Sequence, residues 1–208
     1  MKVLIIGGSR GVGRCLLERA LSQSHQVTAA VRNPAAVDIH HPQLHVVPCD
    51  ILDAAVTLAL VGQDVVFCTI GDKSRGPTTL YSRGACNIVQ GMQAQKVRRL
   101  VFLSNFGVLG EKAQDFRGAA LLLLVRCFIR PTLADHRRAL EEIQDHAPEW
   151  VAVRLLPLTN GPWTGQYRVV VDGIPAKSSH IARADVADFM MRQAMDDSYR
   201  YKAPAIAY

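Results

Sequence analysis

Short β-branched apolar runs alternate along this chain with stretches whose apolar residues recur at helical spacing. Lys2 to Ile6 is an apolar run fit for a buried strand, and a glycine turn follows it. From Gly11 to about Gln23 the positions Val12, Leu16, Leu17 and Leu21 fall on one helical face. Further strands are predicted over 25–31, 44–48, 65–70, 99–104 and 150–155, bounded by Gly, Pro, Asp or Asn, with a long helix over 78–95. Two helices, near 116–128 and 132–146, fill the gap before the last of these strands, and Pro131 is predicted to separate them by breaking the helical ladder. After Pro157 the chain becomes turn-rich. A strand-like run over 167–171, an Asp172-Gly173 turn and a helix from about 183 to 195 follow.

That order predicts an α/β fold: one Rossmann-type, doubly wound parallel sheet with helices on both faces, spanning residues 1–208 as a single domain. In such a sheet ligands sit at the carboxyl ends of the strands, so residues 157–182 are expected to form a small C-terminal lobe on the substrate side. There is no internal repeat and no linker.

With 49% hydrophobic and 20% charged residues, the composition is that of a globular domain and excludes disordered and collagen-like architectures. The longest candidate for a membrane span, Ala119 to Ile129, is shorter than the roughly 20 residues needed and contains Arg126. The start lacks the small-residue cleavage site of a secretory signal, so a cytoplasmic location is expected. Five widely spaced cysteines without a Cys-x-x-Cys pair suggest reduced packing residues. His40, His41 and His45 form a histidine cluster, but Pro42 and the absence of a nearby carboxylate or Cys trio favour a connecting loop, and no metal is expected. The net charge of +6 favours an acidic partner. Scattered basic residues and only 6% aromatic residues argue against nucleic acid. The apolar run Leu121 to Val125 suits a buried helix better than a dimer face or a wall of the substrate pocket, and a monomer or weak homodimer is expected.

The most informative motif is Gly7-Gly8-Ser9-Arg10-Gly11-Val12-Gly13, placed after the first strand and opening the first helix. In that position Gly7 permits a tight turn, Gly11 lets the backbone approach a pyrophosphate, and Gly13 allows close helix packing. The free amides at the helix start attract phosphate, and Ser9 and Val12 lie along the same loop. The second strand ends in Arg32, where an acidic residue would bind the ribose 2′-hydroxyl of NAD. Arg32 and Arg10 instead suit a 2′-phosphate, so NADP(H) is favoured over NAD(H). Asp50, with Ile51 beside it, is placed to contact adenine.

These residues, with Val31-Arg32-Asn33, Cys49-Asp50, Gly62-Gln63-Asp64-Val65-Val66, Ser104-Asn105 and Arg183-Ala184-Asp185-Val186-Ala187, resemble the short-chain dehydrogenase/reductase superfamily in its atypical NAD(P)H-binding branch. Pro77-Thr78-Thr79, Gly84-Ala85, Asn87-Ile88-Val89, Asp135-His136, and Thr164-Gly165 with Tyr167 are similar to the NADPH-dependent flavin reductase and biliverdin IXβ reductase group within it. The resemblance implies a reductase that passes hydride to a planar acceptor: a flavin, a quinone or a biliverdin-like tetrapyrrole. It implies that Ser104 orients substrate or nicotinamide, that Asn105 supports it, and that Thr69, Ile70 and Gly71 lie along the cofactor ribose. His136 falls near the catalytic groups of the superfamily and is a candidate proton source.

Two departures stand out. The superfamily's Tyr-x-x-x-Lys pair is absent: Tyr81 is followed four residues on by Ala85, Tyr167 by Val171 and Tyr199 by Ala203. Pro157 stands where the flavin/biliverdin reductases carry a His. It remains a candidate cofactor contact, and its effect falls on tetrapyrrole preference more than on flavin reduction. Lys73 and Arg75 are candidate contacts for a pyrophosphate, a flavin phosphate or a propionate, while Pro157, Leu158, Trp163 and Tyr167 are candidates for an apolar wall against which the acceptor stacks. The missing pair also fits a second class, a redox sensor that binds NADP(H) without turnover.

Overall fold

A computed structural model describes residues 1–71, 76–111 and 116–208; within 116–129 it describes the backbone and the side chains of Ala119 and Leu123. The elements in chain order are β1 (Lys2–Ile6), α1 (Gly11–Ser22), β2 (Gln26–Val31), a 3₁₀ turn (Pro34–Ala36), β3 (Leu44–Pro48), α2 (Val56–Ala59), β4 (Val65–Cys68) and α3 (Leu80–Gln95). There follow β5 (Arg99–Asn105), α4 (Phe116–His146), β6 (Glu149–Leu155), β7 (Leu158–Thr159), β8 (Arg168–Val170), β9 (Ile181–Ala182), α5 (Arg183–Arg192) and β10 (Ala205–Ala207).

The main sheet has eight strands in the order β3-β2-β1-β4-β5-β6-β10-β8. All neighbours are parallel except the β10–β8 pair at the edge. The strand order reverses between β1 and β4, which opens a crevice at their carboxyl ends. Both faces are covered. Val3, Ile5, Val27, Ala29, Phe67 and Val153 pack against α1 and α5, while Leu4, Val66, Leu100, Phe102 and Ala152 pack against α2, α3 and α4. Because alternate residues of each central strand feed opposite cores, those strands read as unbroken apolar runs.

One expectation is corrected. Pro131 does not divide the chain into two helices, because Phe116–His146 is one helix with Pro131 inside it. A proline removes one backbone donor and crowds the preceding turn, a local defect that a long helix can span. Here Ala139, Leu140 and Ile143 are buried against the sheet and α3. The expectations for Lys73 and Arg75 lie outside the described residues, as do those for the side chains of the run Leu121 to Val125 apart from Leu123, which is exposed. No described helix is long and apolar enough to cross a membrane.

Candidate functional site

The turn from β1 to α1 is built by its glycines. Gly7 has φ +93°, a conformation that side-chain-bearing residues rarely adopt, and its amide donates to the Ala30 carbonyl at 3.0 Å. A β-carbon on Gly13 would sit 2.2 Å from the Gly7 oxygen and 2.5 Å from Thr69 Oγ1, so α1 is seated directly against the turn and the end of β4. Thr69 Oγ1 in turn donates to the Ile6 carbonyl at 3.0 Å, tying β4 to β1 below the turn.

The N-terminus of α1 has an unusual composition. Arg10 occupies the cap position in extended conformation, its side chain makes no capping bond, and there is no acidic residue in the first turn. The first-turn amides therefore have no side-chain acceptor and point their partial positive charge at the crevice, the arrangement that receives a phosphate.

Above them lies a cleft of about 720 Å³. It is lined by Gly7, Ser9, Arg10, Gly11 and Val12 from the turn, by Arg32 and Asn33 after β2, and by Cys49, Asp50 and Ile51 after β3. Thr69, Ile70 and Gly71 after β4, with Leu80, Leu103 and Leu158, continue the lining towards β5. The Asp50 carboxylate accepts from the Leu52 amide at 3.0 Å, which shapes the loop around Ile51. Arg10, Arg32 and Arg183 line the cleft, and none of them forms an ion pair among the described residues. Three guanidiniums against Asp50, the one carboxylate in the described lining, make the cleft a receptor for a polyanion. The uncapped amides, the seat below Gly13 and the unpaired guanidiniums all fit a dinucleotide.

Residues 7–197 match the NAD(P)H-binding family. The chain belongs to that family. Among solved structures, this NAD(P)H-binding protein is similar to a short-chain dehydrogenase/reductase from Veillonella parvula in complex with NADP, with TM-score 0.81 and 17% identity over 100% of this chain and 94% of the other. It is also similar to an oxidoreductase from Lactococcus lactis (TM-score 0.81, 21% identity, 100% of this chain and 90% of that one). A third, ChuY, an anaerobillin reductase from Escherichia coli O157:H7, gives TM-score 0.76 at 18% identity over 100% of this chain and 97% of its own. At these identities the likeness establishes a shared fold.

The remaining candidates fall into two groups. Ser104, near the end of β5, is 2% exposed, and its hydroxyl has no hydrogen-bond partner among the described residues. Ser104 itself stands outside the described cleft lining, which its neighbour Leu103 joins. Asn105 is half-buried at the last position of the strand. His136 is 2% exposed on α4, stacked on Tyr81 with ring centroids 3.7 Å apart and edge-on to Phe102. Burial pushes its pKa down to about 4 despite the neighbouring Asp135 charge, so at neutral pH the imidazole is uncharged and holds no acidic proton.

The aromatic candidates are placed away from the cleft lining. Trp163 is 54% exposed with the Arg19 guanidinium 5.2 Å above its ring. Tyr167 donates to Asp188 at 2.9 Å and packs edge-on against Phe189 of α5. Tyr167 is held by the buried Asp188 of α5 directly, and Trp163 lies against Arg19 of α1, which with Arg192 pairs with that carboxylate. Pro157 is exposed and outside the lining, although its carbonyl accepts from the Ile181 amide at 3.0 Å and so holds β9 beside β7. Of the wall residues, the structure brings Leu158 to the cleft.

Asn160 and Arg183 line the cleft although the sequence assigned them no role there. Arg183 belongs to a motif that carried the family resemblance, which is the one signal that marked it.

Proposed function

We propose that this NAD(P)H-binding protein is an NADPH-dependent reductase that passes hydride to a planar, electron-poor acceptor such as a flavin, a quinone or a biliverdin-like tetrapyrrole. The observation that carries the reading is the pair Arg10 and Arg32, which line the same cleft without ion-pair partners among the described residues. In this reading the two guanidiniums bind the 2′-phosphate, the first-turn amides of α1 take the pyrophosphate, and Asp50 and Ile51 border the adenine. Thr69, Ile70 and Gly71 lie along the ribose. When bound, the cofactor supplies the hydride, a transfer that demands close stacking of two rings more than an acid–base pair. Ser104 orients the acceptor through its unsatisfied hydroxyl, and Leu103 and Leu158 keep water from that end of the cleft.

A second reading, a sensor that holds NADP(H) without turnover, draws support from the absence of His and Tyr in the described cleft lining. Turnover separates the two. Purified protein is expected to oxidise NADPH with at least one of FMN, riboflavin, menadione or biliverdin. Tight NADPH binding with no oxidation across that panel would replace the reductase by the sensor. Arg32→Glu is expected to weaken NADPH at least about tenfold while leaving NADH nearly unchanged, since a charge-assisted phosphate contact contributes about 1.5–3 kcal/mol. Equal losses for the two coenzymes would remove the argument for 2′-phosphate selection.

A further inference from the structure

The C-terminal part of the chain delivers a charged side chain to the glycine turn. β7 and β9 pair in parallel, with Leu158 beside Ile181 and Thr159 beside Ala182. The next residue on each strand is therefore brought to the same edge: Asn160 on one, Arg183 on the other. Their side chains meet, the Arg183 guanidinium donating to Asn160 Oδ1 at 2.6 Å. Arg183 Nε lies 3.8 Å from the point a β-carbon on Gly11 would occupy, so the guanidinium borders the glycine turn where α1 begins.

Several features show that this placement is maintained against a cost. Arg183 is the first residue of α5, where the positive end of the helix dipole disfavours a cation. In the described lining only Asp50 is acidic, and Asp185 in the first turn of α5 is turned to other partners. The start of α5 is fixed regardless. Asp185, fully buried, accepts from the Thr164 amide at 3.0 Å, the Thr164 hydroxyl at 2.8 Å and the Gly165 amide at 2.8 Å, and is bonded by the Tyr208 hydroxyl. Tyr208 Oη also accepts from the Ala182 amide at 3.2 Å. A cation that borders the glycine turn, oriented by an amide side chain and without an ion-pair partner among the described residues, calls for an anionic ligand.

We infer that Arg183, oriented by Asn160, grips the pyrophosphate of the bound dinucleotide from the C-terminal part of the chain. Arg10 and Arg32 serve the adenosine end and its 2′-phosphate. The inference rests on the dinucleotide reading of the cleft and deepens it: Arg183 contributes affinity common to both coenzymes, whereas Arg32 discriminates between them.

Titration calorimetry of the full chain with NADP⁺, NAD⁺ and adenosine 2′-monophosphate tests this. Arg183→Gln is expected to weaken NADP⁺ and NAD⁺ by the same factor, about 10- to 100-fold, and to leave the monophosphate, which has no pyrophosphate, unchanged. Arg183→Lys, which keeps the charge and guards against a folding artefact, is expected to recover most of the loss. Asn160→Ala should fall between wild type and Arg183→Gln. Unchanged NADP⁺ affinity in folded Arg183→Gln overturns the inference, as does an equal loss for the monophosphate, which would move the guanidinium to the adenosine end. A rise in KM for FMN but not riboflavin with NADP⁺ affinity intact overturns it too, by assigning the guanidinium to the acceptor. Absence of turnover in wild type that still binds NADP⁺ would sink the reductase reading and leave the clamp standing.

Discussion

At the scale of single residues, His136 shows how burial decides what a side chain does. Its Nδ1 has no hydrogen-bond partner among the described residues, its ring is pressed against Tyr81, and the adjacent Asp135 carboxylate spends its oxygens elsewhere, on the Tyr81 amide at 2.9 Å, the Ser82 hydroxyl and Arg138 at 3.1 Å. The folded pKa of about 4 lies below the ordinary histidine value, so between those values the unfolded chain binds more protons than the folded one. Stability supplied by the neutral ring is thus complete above about pH 6.5 and erodes as pH falls towards 4. The erosion amounts to about 3 kcal/mol. Urea denaturation across that range should show a steeper acid limb in wild type than in His136→Phe, which keeps the stack and discards the titration. Parallel limbs would mean that the ring is accessible to protons in the native state. The result also bears on chemistry, because a ring that is neutral at pH 7 has no imidazolium proton to give there.

At the scale of elements, the contact between α1 and the glycine turn governs the cofactor half of the cleft. Gly13→Ala forces a methyl group into the Gly7 carbonyl and Thr69, and since the obstructing atom is backbone, the helix itself must move. We expect a loss of about 1–3 kcal/mol in chemical denaturation together with loss of NADP⁺ binding, because the displaced element carries the phosphate-facing amides. An alanine variant that binds normally would mean that α1 has room to slide. This half of the site was legible in the sequence because its determinants are local: a strand, a turn and a helix start within thirteen residues, with β1 and β3 ending where glycine and proline neighbours ended them. The other half was not. β7 and β9 are two residues each and pair across more than twenty positions, so Asn160 and Arg183 meet through a register that no short window of sequence contains. Trp163 and Tyr167 looked like a stacking wall from composition, but the buried Asp188 and the cationic Arg19 supplied stronger partners. Pro131 misled for a related reason, since the rule that breaks a helix describes the local ladder, a defect that a long helix can span.

At the scale of the whole molecule, the late segments are fastened to the parallel sheet by one fully buried cation. Arg154 on β6 stands beside Ser104 in the register of β5 and β6. Its guanidinium donates to the Ala203 carbonyl at 2.5 Å and the Val171 carbonyl at 2.5 Å, and is paired with Glu111. It therefore joins the segment after β5, the end of β8 and the approach to β10, three regions distant in sequence that together close the β5–β6 end of the fold. Such a pair contributes little net energy when formed, because desolvation offsets the attraction, but removing one partner strands the other charge in a dry interior. Arg154→Met should accordingly cost about 3–5 kcal/mol in urea denaturation, and Glu111→Gln alone should also destabilise. The double variant should be more stable than the sum of the single losses implies, with a coupling of about 1–3 kcal/mol in a double-mutant cycle. Strict additivity would show that the two side chains act independently and that the backbone carbonyls alone hold the arginine. Because Ser104 is the neighbour of Arg154 on β5, the proposed reductase reading predicts that the same variants disturb acceptor turnover more than NADP⁺ affinity, whose proposed contacts lie on the far side of the sheet's reversal point.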